Sequence, residues 1–404
     1  MSLTPELDID VRRPLDTDFL GAFAEATEAD RGHARTARET VTPMLDELAE
    51  AWHEATYPVH LVRQVAAAGI ITDGVDVEGF ETLSPLGAGL VTMELSRLDG
   101  SLAAACAVQG GLALRTVVEL GSAEQRTKYA QPMARGELLG AFALTEPEHG
   151  SDSVALETTA RKVDGGWVLD GQKKWIGNGA AGGITLVWAR DEQGQVRGFI
   201  VPQEAEGYAA EPIVRKGVLR GLHQSLITLE GVEVGEDALL PGANSFADTA
   251  RVLEATRVNI GWSALGHATA LFEGALQYTR ARVQFGKPLA AQQAVQERLS
   301  QMLEAVTSMQ LQAAAVARLQ SAGQLRGEHA SMLKYHNTRA ARRVAGIARD
   351  LMGGNGILLE HGMVQHFADL EALHTYEGTE TVQSLIMGRR LTGHSAYGWA
   401  SARA

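Results

Sequence analysis

The chain changes its pattern of apolar residues twice, and this constrains the fold more than any other feature of the sequence. Residues 1 to about 141 place apolar side chains largely at spacings of three and four, which is typical of amphipathic helices. From about 142 to 246, short apolar runs alternate with turn residues, which is typical of short strands. Helical spacing then returns. This order predicts an α+β protein with an N-terminal helical domain (1–141), a middle small antiparallel β domain (142–246) and a C-terminal four-helix bundle (247–404).

The middle segment predicts a small antiparallel barrel or sandwich. Two short runs flank an Asp-Gly-Gly turn, which predicts a hairpin from Ala160 to Leu169. Further strand-like runs are Ile184–Trp188, Gly198–Pro202, Leu226–Leu229 and Gly231–Val234. Strands this short, separated by turn residues, favour a small closed or two-layered sheet.

Long helices are predicted in the last third of the chain, at about 249–283, 290–321 and 327–352, with a break at Gly286-Lys287-Pro288. Their lengths suit antiparallel helices in a bundle. Nearer the start of the chain, Gly87 to Leu120 is dense in Ala, Leu and Val and carries few charges. This segment predicts a helix that is buried on most sides.

Composition excludes several classes of protein. With 404 residues the chain is too long for one small core. Its formal charge of −13 argues against binding to nucleic acid, which requires a basic surface. The single cysteine, Cys106, excludes an internal disulfide and a Cys-based metal cluster. The 12 histidines form no HExxH or similar pattern, so no metal site is predicted.

The sequence also bears on location. Its apolar runs are shorter than the roughly 18–20 residues of a membrane-spanning helix, so no membrane span is expected. The first residues, Met1 to Glu6, are acidic and lack the apolar core of a signal peptide. We therefore expect a cytoplasmic protein.

A lone carboxylate, Glu377, stands before Gly378 in the segment Leu373 to Thr379. Taken alone, an acidic residue in such a turn is usually a cap or a solvated loop charge. Four other segments change this interpretation. The five segments are Phe142–Asp152, Lys174–Asn178, Arg282–Gly286, Asp350–Gly356 and Tyr376–Thr379.

In this order and spacing, the five segments resemble the acyl-CoA dehydrogenase family of flavoproteins. The resemblance covers nearly the whole chain and is clearest from about 138 to 393. Within the family, Asn244–Phe246 and Gly388–Gly393 resemble the glutaryl-CoA dehydrogenases and the related plant short-chain acyl-CoA oxidases. The resemblance implies the three-domain fold of the family, with FAD as the cofactor and a homo-oligomer, most simply a homotetramer.

The resemblance also implies a set of residues that bind FAD. They are Phe142, Leu144, Thr145, Gly150, Ser151, Trp175, Ile176, Gly177, Arg282, Phe285, Gln293, Asp350, Gly353, Gly354 and Thr379. Arg282 and Gln293 would bind the pyrophosphate across a subunit interface, and Asp350 with the Gly353-Gly354 loop would hold a neighbouring subunit's adenosine. Several of these residues also have an ordinary structural interpretation. Trp175 would be a core residue, Arg282 would complement a helix end, and the glycines would terminate a helix.

Gly177 departs from the family pattern, because most dehydrogenases carry Thr or Ser there and use the hydroxyl to bind flavin N5. The plant short-chain oxidases resemble this chain in reading Trp-Ile-Gly-Asn, so the electron acceptor stays open between an electron-transfer flavoprotein and O₂. Gly177 also starts a literal G-x-G-x-x-G match that ends at Gly182. Because a strand-like run follows, a Rossmann site is disfavoured and a flexible hairpin loop is predicted.

By resemblance, Glu377 takes the α-proton of an acyl-CoA thioester while a hydride leaves the β-carbon for flavin N5, which yields a trans-2-enoyl-CoA. The backbone N–H of Glu377 and a ribityl hydroxyl of FAD would polarise the thioester carbonyl. Two rival functions are an acyl-CoA oxidase and a non-catalytic family member that acts as a scaffold. Intact Glu377 and FAD positions argue against the scaffold.

The acyl group is predicted to be uncharged. Glutaryl-CoA dehydrogenases bind the distal carboxylate with an Arg, and alignment through Arg97-Leu98-Asp99 puts Ala103 at that position. Ser96 replaces the acidic residue that assists this Arg. A dicarboxylate would leave a buried charge unpaired, at a cost of about 3–5 kcal/mol. By resemblance, the residues that would contact the acyl-CoA are Ala103, Ala104, Ser151, Arg257 and Gly378, although a surface ion pair explains Arg257 equally well.

Overall fold

A computed structural model describes residue 10 and residues 14–396 of the chain. The N-terminal segment used above to predict location lies outside the described residues. The described chain forms two compact units. One is Ala26–Thr256, and the other combines the residues up to Glu25 with those from Arg257 onward.

The unit Ala26–Thr256 begins with helices, as predicted. They are α1 (Glu28–Val41), α2 (Leu45–Glu54), α3 (Val59–Ala67), α4 (Pro85–Leu98), α5 (Gly100–Cys106), α6 (Arg115–Leu120) and α7 (Ala123–Ala134). The predicted single buried helix from Gly87 to Leu120 is interrupted at Asp99. The backbone there is extended, and the Asp99 carboxylate accepts a hydrogen bond from Leu102 N at 2.7 Å, which starts α5.

A π-helical segment, Ala107–Leu114, joins α5 to α6 without a break. The resulting stretch Gly100–Leu120 is long and apolar enough to cross a membrane by length and composition alone. However, 67% of its most apolar window is buried inside the protein, which is typical of a core helix. π-helical turns are uncommon and occur frequently at functional sites.

The same unit contains a seven-stranded sheet. Its strands are β1 (Gly140–Ala143), β2 (Thr159–Val163), β3 (Gly166–Gly177), β4 (Ile184–Arg190), β5 (Val196–Pro202), β6 (Tyr208–Pro212) and β7 (Gln224–Gly235). The strand order is β1-β4-β2-β3-β7-β6, and β5 pairs with β4. The predicted hairpin is confirmed, since β2 and β3 pair antiparallel up to Val163 and Gly166.

Three details differ from the prediction. β1 pairs with β4 in parallel, because no hairpin joins these strands, so the sheet is mixed at this edge. The two runs predicted on either side of Gly231 form one strand, β7, in which Gly231 takes a positive φ of 61°. The loop that starts at Gly177 leads into a strand as predicted, but it crosses β2 instead of forming a hairpin, since β3 and β4 are not neighbours.

Helices and sheet share a core in this unit. Phe142 and Trp188 pack with Val117 of α6, whereas Ala143 and Phe199 belong to a separate cluster within the sheet. The predicted boundary between 141 and 142 therefore separates a helical segment from a strand segment, but both segments contribute to one hydrophobic core. The three domain ranges stay a prediction.

The second unit is helical, as predicted. It contains most of α8 (Phe246–Ala281), a short hairpin β8–β9 (Val283–Gln284 and Lys287–Pro288), α9 (Gln293–Ser321), α10 (Gly327–Leu351), α11 (Met363–Thr375) and α12 (Glu380–Thr392). The three predicted long helices and the break at 286–288 are confirmed to within a few residues. Helix α10 packs against α9, α11 and α12, and it thereby holds the turn that carries Glu377.

Candidate active site

The loop after β1 is fixed onto β3 by a buried ion pair. Lys173 Nζ lies 2.8 Å from Glu146 Oε1, and the two side chains are 0% and 5% exposed. Lys173 Nζ also donates to Leu144 O at 3.1 Å, and Lys174 N donates to Thr145 O at 2.8 Å. The carbonyls of Leu144 and Thr145, which are predicted to face the cofactor, are therefore both held by hydrogen bonds from β3.

The buried Glu146 carboxylate is hydrogen-bonded to several protein donors besides Lys173. It accepts hydrogen bonds from Glu157 N at 2.6 Å, Thr158 N at 2.9 Å and Thr158 Oγ1 at 2.6 Å. Burial alone would raise the pKa of Glu146, but Lys173 and these donors lower it to about 2. Burial lowers the pKa of Lys173 to about 8 against the opposing attraction of Glu146. Both groups are therefore charged at neutral pH.

Trp175 points out of the strand instead of into the core. The pairing of β3 with β7 shifts between Lys173 and Ile176, and Trp175 takes a positive φ of 67° at this irregularity. Its side chain is 53% exposed, which excludes the core interpretation. Bulges of this kind re-aim side chains, often beside active sites. The exposed indole presents a flat apolar face on which a planar ring can stack.

Gly177 lies against the π-helical segment. A Cβ built on Gly177 would lie 3.1 Å from Val108 Cγ2, tighter than an ordinary contact. The next residue, Asn178, is buried and has a φ of 62°. Its Oδ1 accepts a hydrogen bond from the Tyr57 hydroxyl, and its Nδ2 donates to Gly140 O at 3.2 Å. Burial raises the pKa of Tyr57, so this hydroxyl stays a donor.

Several predicted cofactor residues have side chains in the core. Phe142, Leu144 and Ile176 are buried in the structure, and their predicted contacts with a cofactor stay a prediction. Gly150 and Ser151 are exposed in the following loop. Ala103 lies in an apolar cluster of helix residues, and Ala104 is partly buried against it.

The Glu377 turn lies between α11 and α12 in the other unit. Glu377 is partly buried and takes a positive φ of 56°, which is uncommon for a residue other than glycine. Lys334 of α10 donates from Nζ to the carbonyls of Tyr376 and Gly378. Gln383 of α12 donates from Nε2 to Glu377 O and to Gly378 O, each at 3.0 Å. All three carbonyls of the turn are thus bound by side chains from flanking helices.

The turn requires glycine after Glu377. Gly378 has a φ of 80°, and a Cβ there would lie 2.5 Å from Gln383 Nε2. Thr379, predicted to contact FAD, is the N-cap of α12, and its hydroxyl accepts a hydrogen bond from Val382 N at 3.3 Å. The turn geometry and the start of α12 are therefore set together.

The phenol and the imidazole that flank Glu377 in sequence both have shifted pKa values. Burial raises the pKa of Tyr376, and the carboxylates of Glu377 and Asp369 raise it further, so the phenol keeps its proton. Burial, followed by the charge of Arg342, lowers the pKa of His374, whose Nε2 lies 3.5 Å from Arg342 Nη1. Of the titratable groups in this turn, Glu377 is the carboxylate and matches the predicted base.

A third group of predicted residues lies at the end of α8 and in the loop from Gly353. Arg282 N donates to Tyr278 O at 2.8 Å in the last turn of α8, and Asn355 Nδ2 donates to the Tyr278 hydroxyl at 3.2 Å, so Tyr278 links α8 to this loop. A Cβ on Gly353 would meet nothing within 4 Å. Within the described residues, the Arg282 guanidinium makes no ion pair or hydrogen bond.

The remaining residues of this third group are exposed or paired. Asp350 accepts from Arg349 Nη1 at 2.6 Å, and Gln293 is exposed at the first position of α9. Phe285, at the tip of the β8–β9 hairpin, is 96% exposed. A guanidinium that has no partner among the described residues suits a phosphate anion.

Each unit, taken by itself, has groups whose chemistry fits a flavin nucleotide. The sheet unit offers the exposed Trp175 indole and the fixed main chain of Thr145, and the helical unit offers the Arg282 guanidinium and the open glycines of the loop from Gly353. No group of three or more His, Cys, Asp or Glu that could hold a metal lies in the described part of the chain.

Lys334, Gln383 and the Glu146–Lys173 pair were missed from the sequence. One signal was available for Lys334, which lies at helical spacing on the buried face of α10 with Ala330, Asn337 and Ala341. A cation on an apolar face requires buried acceptors. Nothing in the sequence identifies which carbonyls accept from it, since they are 42 and 44 residues away.

The chain matches models of three domains in register. They are the acyl-CoA dehydrogenase N-terminal domain over residues 27–137, the middle domain over 141–232 and the C-terminal domain over 246–392. An acyl-CoA dehydrogenase of Bacillus subtilis (strain 168) is 32% identical over 367 residues, which cover 88% of this chain and 95% of that protein.

Solved structures give the same result. The crystal structure of glutaryl-CoA dehydrogenase from Mycobacterium smegmatis matches with a TM-score of 0.92 and 34% identity, over 96% of this chain and 100% of that chain. A second structure, of a glutaryl-CoA dehydrogenase from Mycobacterium smegmatis in complex with FADH2, matches with a TM-score of 0.91 and 32% identity, over 94% of this chain and 98% of that chain. The fold and family predicted from the five segments are confirmed, and the chain belongs to the acyl-CoA dehydrogenase family of enzymes.

Proposed function

We propose that this protein is an FAD-dependent acyl-CoA dehydrogenase that converts an acyl-CoA with an uncharged acyl chain to the trans-2-enoyl-CoA. The observation that carries the proposal is the Glu377 turn. A single carboxylate stands there in a left-handed conformation, and the carbonyls on both sides of it are bound by Lys334. Residues held in such uncommon conformations cluster at active sites.

Glu377 is the proposed base for the α-proton. That proton is weakly acidic, so its removal needs a donor to the thioester carbonyl. In a trans peptide the C=O and the N–H lie in one plane and point in opposite directions. Lys334 binds the Tyr376 carbonyl, so the N–H of Glu377, in the same peptide, points away from Lys334. The turn thus presents a carboxylate and an amide donor from one residue.

FAD, when bound, supplies the hydride acceptor for the β-carbon. The chain's own residues would hold and orient the cofactor. Trp175 would flank the ring, the main chain at Thr145 would border its edge, and Arg282 would bind the diphosphate. The predicted contacts of Ser151 and Arg257 with the CoA moiety are part of the same proposal.

The uncharged acyl group is supported by the surroundings of Ala103. This residue packs among apolar side chains. The nearby motif cation, Arg97, does not replace the missing Arg, because its guanidinium is buried and donates to Glu94 Oε1 at 2.7 Å and Oε2 at 3.0 Å. A distal carboxylate would therefore not find Arg97 available as a partner, and a buried carboxylate without a cation costs about 3–5 kcal/mol.

The electron acceptor and assembly complete the proposal. An electron-transfer flavoprotein is the proposed acceptor, and the oxidase reaction with O₂ is the alternative that Gly177 favours, since no side chain there can bond flavin N5. A homotetramer is proposed because a Cβ on Gly353 or Gly354 would meet nothing within 4 Å and the Phe285 side chain, three residues after Arg282, is exposed. A cytoplasmic location stays a prediction.

The decisive experiment mixes the purified FAD-loaded protein anaerobically with butyryl-, octanoyl- and glutaryl-CoA and follows flavin bleaching. Neutral acyl-CoAs should exceed glutaryl-CoA by at least about a hundredfold in kcat/KM, because an unpaired buried carboxylate costs about 3 kcal/mol or more. Comparable turnover of glutaryl-CoA, or release of CO₂ from it, would overturn the uncharged substrate.

Glu377→Gln tests the base. It should retain FAD and bind acyl-CoA, yet bleach the flavin at least about a hundredfold more slowly, because a positioned base contributes about 10²–10⁴-fold. Glu380→Gln is the matched control. It removes the same charge three residues later, where Glu380 pairs with Arg339 on the surface, and should leave the rate near wild type. A wild-type rate in Glu377→Gln would place the base elsewhere.

Two further measurements address the acceptor and the assembly. Peroxide release in air at a rate matching substrate loss would support the oxidase, and its absence alongside turnover with a dye acceptor would support the dehydrogenase. Light scattering should give four copies with one FAD each. A monomer that retains FAD stoichiometrically would contradict the shared cofactor site, and a colourless protein after FAD addition would favour a scaffold.

A further inference from the structure

We propose that Lys334 is a positioning residue for Glu377, and that its buried ammonium fixes the turn so that the carboxylate and the Glu377 N–H face the substrate together. This inference rests on the proposed role of Glu377 as the base. Lys334 would not touch the substrate. It would act through the two peptide groups that flank Glu377.

The hydrogen bonds of the turn carry the first step. Lys334 Nζ donates to Tyr376 O and Gly378 O, which are the carbonyls immediately before and after Glu377. Gln383 Nε2 donates to the intervening carbonyl and again to Gly378 O, each at 3.0 Å. Three successive carbonyls are therefore drawn to one side of the turn.

Peptide geometry gives the second step. Each of these peptides is trans, so its N–H is opposite its C=O. The peptide that contains Tyr376 O also contains the Glu377 N–H, and the peptide that contains Glu377 O also contains the Gly378 N–H. Binding the carbonyls therefore fixes the direction of both N–H groups. Without Lys334, the first peptide could rotate and carry the Glu377 side chain with it.

The third step is that Lys334 stands on a rigid support. It lies in the middle of α10 and is fully buried. One turn later, Asn337 Nδ2 donates to Gly261 O of α8 at 2.9 Å, which ties α10 to a further helix. Because α10 also packs on α11 and α12, the position of the ammonium is set by the bundle and not by the turn that it holds.

The charge of Lys334 matters as well as its hydrogen bonds. Burial lowers its pKa to about 7, the attraction of Glu377 raises it, and the repulsion of Arg257 lowers it. The groups that act electrostatically on this region come from α8, α10, α11, α12 and the turn. They are Arg257, Arg342, Asp369, Glu371, His374, Tyr376, Glu377 and Glu380. In acid, where Lys334 is protonated, its ammonium favours the ionised form of a nearby carboxylate.

The test compares Lys334→Met with wild type in the FAD-loaded protein, using butyryl-CoA in anaerobic single-turnover mixing. Flavin reduction should slow by about a hundredfold, since a displacement of about 1 Å in a positioned group has that effect. FAD content should be retained, and the half-saturating acyl-CoA concentration should change by less than about threefold. The acidic limb of the pH profile should move to higher pH by about one unit, because the carboxylate loses an attractive cation.

Three variants separate positioning from general damage. Gln383→Ala removes a neutral donor from Glu377 O and from Gly378 O, the second of which Lys334 also binds, so it should slow reduction without moving the acidic limb. Arg343→Gln removes a cation from the exposed face of the same helix and should leave both rate and limb near wild type. Lys334→Ala should regain rate and limb position on addition of ethylamine, which can restore an ammonium in the vacated space.

The outcomes distinguish this inference from the proposed function. A wild-type rate in Glu377→Gln would overturn the base assignment whatever Lys334 does. A slow Glu377→Gln together with an unchanged rate and limb in Lys334→Met would overturn the inference alone. If Lys334→Met does not fold, Lys334→Gln replaces it, because Gln keeps a hydrogen-bond donor but removes the charge. An acidic limb that does not move in Lys334→Gln would also contradict the inference.

Discussion

Two buried lysines hold segments that contain predicted site residues, and they bind different partners. Lys173 holds the loop after β1, and Lys334 holds the Glu377 turn. In the sheet unit, Lys173 meets the Glu146 carboxylate directly, so a formal negative charge balances it. In the helical unit, Lys334 donates to the carbonyls of Tyr376 and Gly378, which are dipoles. Both lysines are fully buried, and burial lowers the pKa of both, to about 8 for Lys173 and about 7 for Lys334.

The two lysines therefore have different expected roles, since Lys173 only holds a loop in place whereas Lys334 also acts electrostatically on a neighbouring group. The Glu146–Lys173 pair cancels its own charge and leaves little field beyond the loop, so its role is to hold Leu144 and Thr145 in place. Carbonyl dipoles only partly offset an ammonium, so the charge of Lys334 still acts on Glu377. A buried cation beside a proposed base thus fixes geometry and sets electrostatics together.

The largest expected effect is on stability, from Lys173→Met. This change leaves the Glu146 carboxylate buried without its cation, and breaking such a pair costs about 3–5 kcal/mol. Urea denaturation at pH 7 should show this loss. The double variant Lys173→Met with Glu146→Gln should recover part of it, because both charges are then removed. A loss below about 1 kcal/mol would mean that the pair behaves like an exposed one.

Gly378→Ala should have the next largest effect and tests the other loop. A residue with a Cβ costs about 1–2 kcal/mol in the left-handed region, and here the Cβ would also lie 2.5 Å from Gln383 Nε2. Gly393→Ala is the matched control, since Gly393 has a φ of 74° and no atom within 4 Å of its Cβ position. If both variants lose the same stability and flavin reduction is unaffected, the Gln383 bonds do not hold the turn.

A smaller effect is expected from pH. Lys334 has a pKa of about 7 in the folded protein and 10.5 as its ordinary value, so over this interval the unfolded chain binds the extra proton. Stability therefore rises with pH from about 7 toward 10.5. Relative to Lys334→Met, the wild type should gain about 1 kcal/mol between pH 7 and pH 8. Lys173 is present in both proteins, so its contribution to the pH dependence of stability cancels in this comparison. No gain over this interval would mean that Lys334 titrates elsewhere.

The smallest effect is expected at Gly177. A Cβ there must displace Val108 by a few tenths of an ångström, since the contact would be 3.1 Å. Gly177→Ala should cost less than about 1 kcal/mol, and the same change in a Val108→Ala background should cost less still. Thermal denaturation of the four proteins measures the coupling. Strict additivity would show that the π-helical segment does not confine this edge of the sheet.

Local pattern explains which parts of the fold were predictable. Helix lengths and the Asp-Gly-Gly hairpin follow from residues close together in sequence, and the structure reproduces them. The parallel pairing of β1 with β4 does not, because Gly140 and its partner Ile184 are brought together only by tertiary packing. The break at Asp99 was also missed, since an N-cap inside an apolar stretch competes with the helical pattern.

The candidate site was predicted where a motif fixes a residue by its neighbours, as for Glu377 and Trp175. It was not predicted where partners are distant. Lys173 and Glu146 are 27 residues apart, and Lys334 is more than 40 from the carbonyls that it binds. The exposure of Trp175 follows from an irregularity in the pairing of β3 with β7, which alternation alone does not show. Its predicted contact with FAD stays a prediction.

The π-helical segment Ala107–Leu114 has a consequence for how this chain tolerates changes in length. Removing one residue from an α-helix rotates everything beyond it by about 100° and turns its buried face toward solvent. A π turn already contains one residue more than an α turn, because its hydrogen bonds span i to i+5. A one-residue deletion within this segment therefore converts it to an ordinary α-helix and leaves α5 and α6 in their present orientation. The position of Val108 beside Gly177 can thus be altered by shortening the chain, with the rest of the buried helix kept.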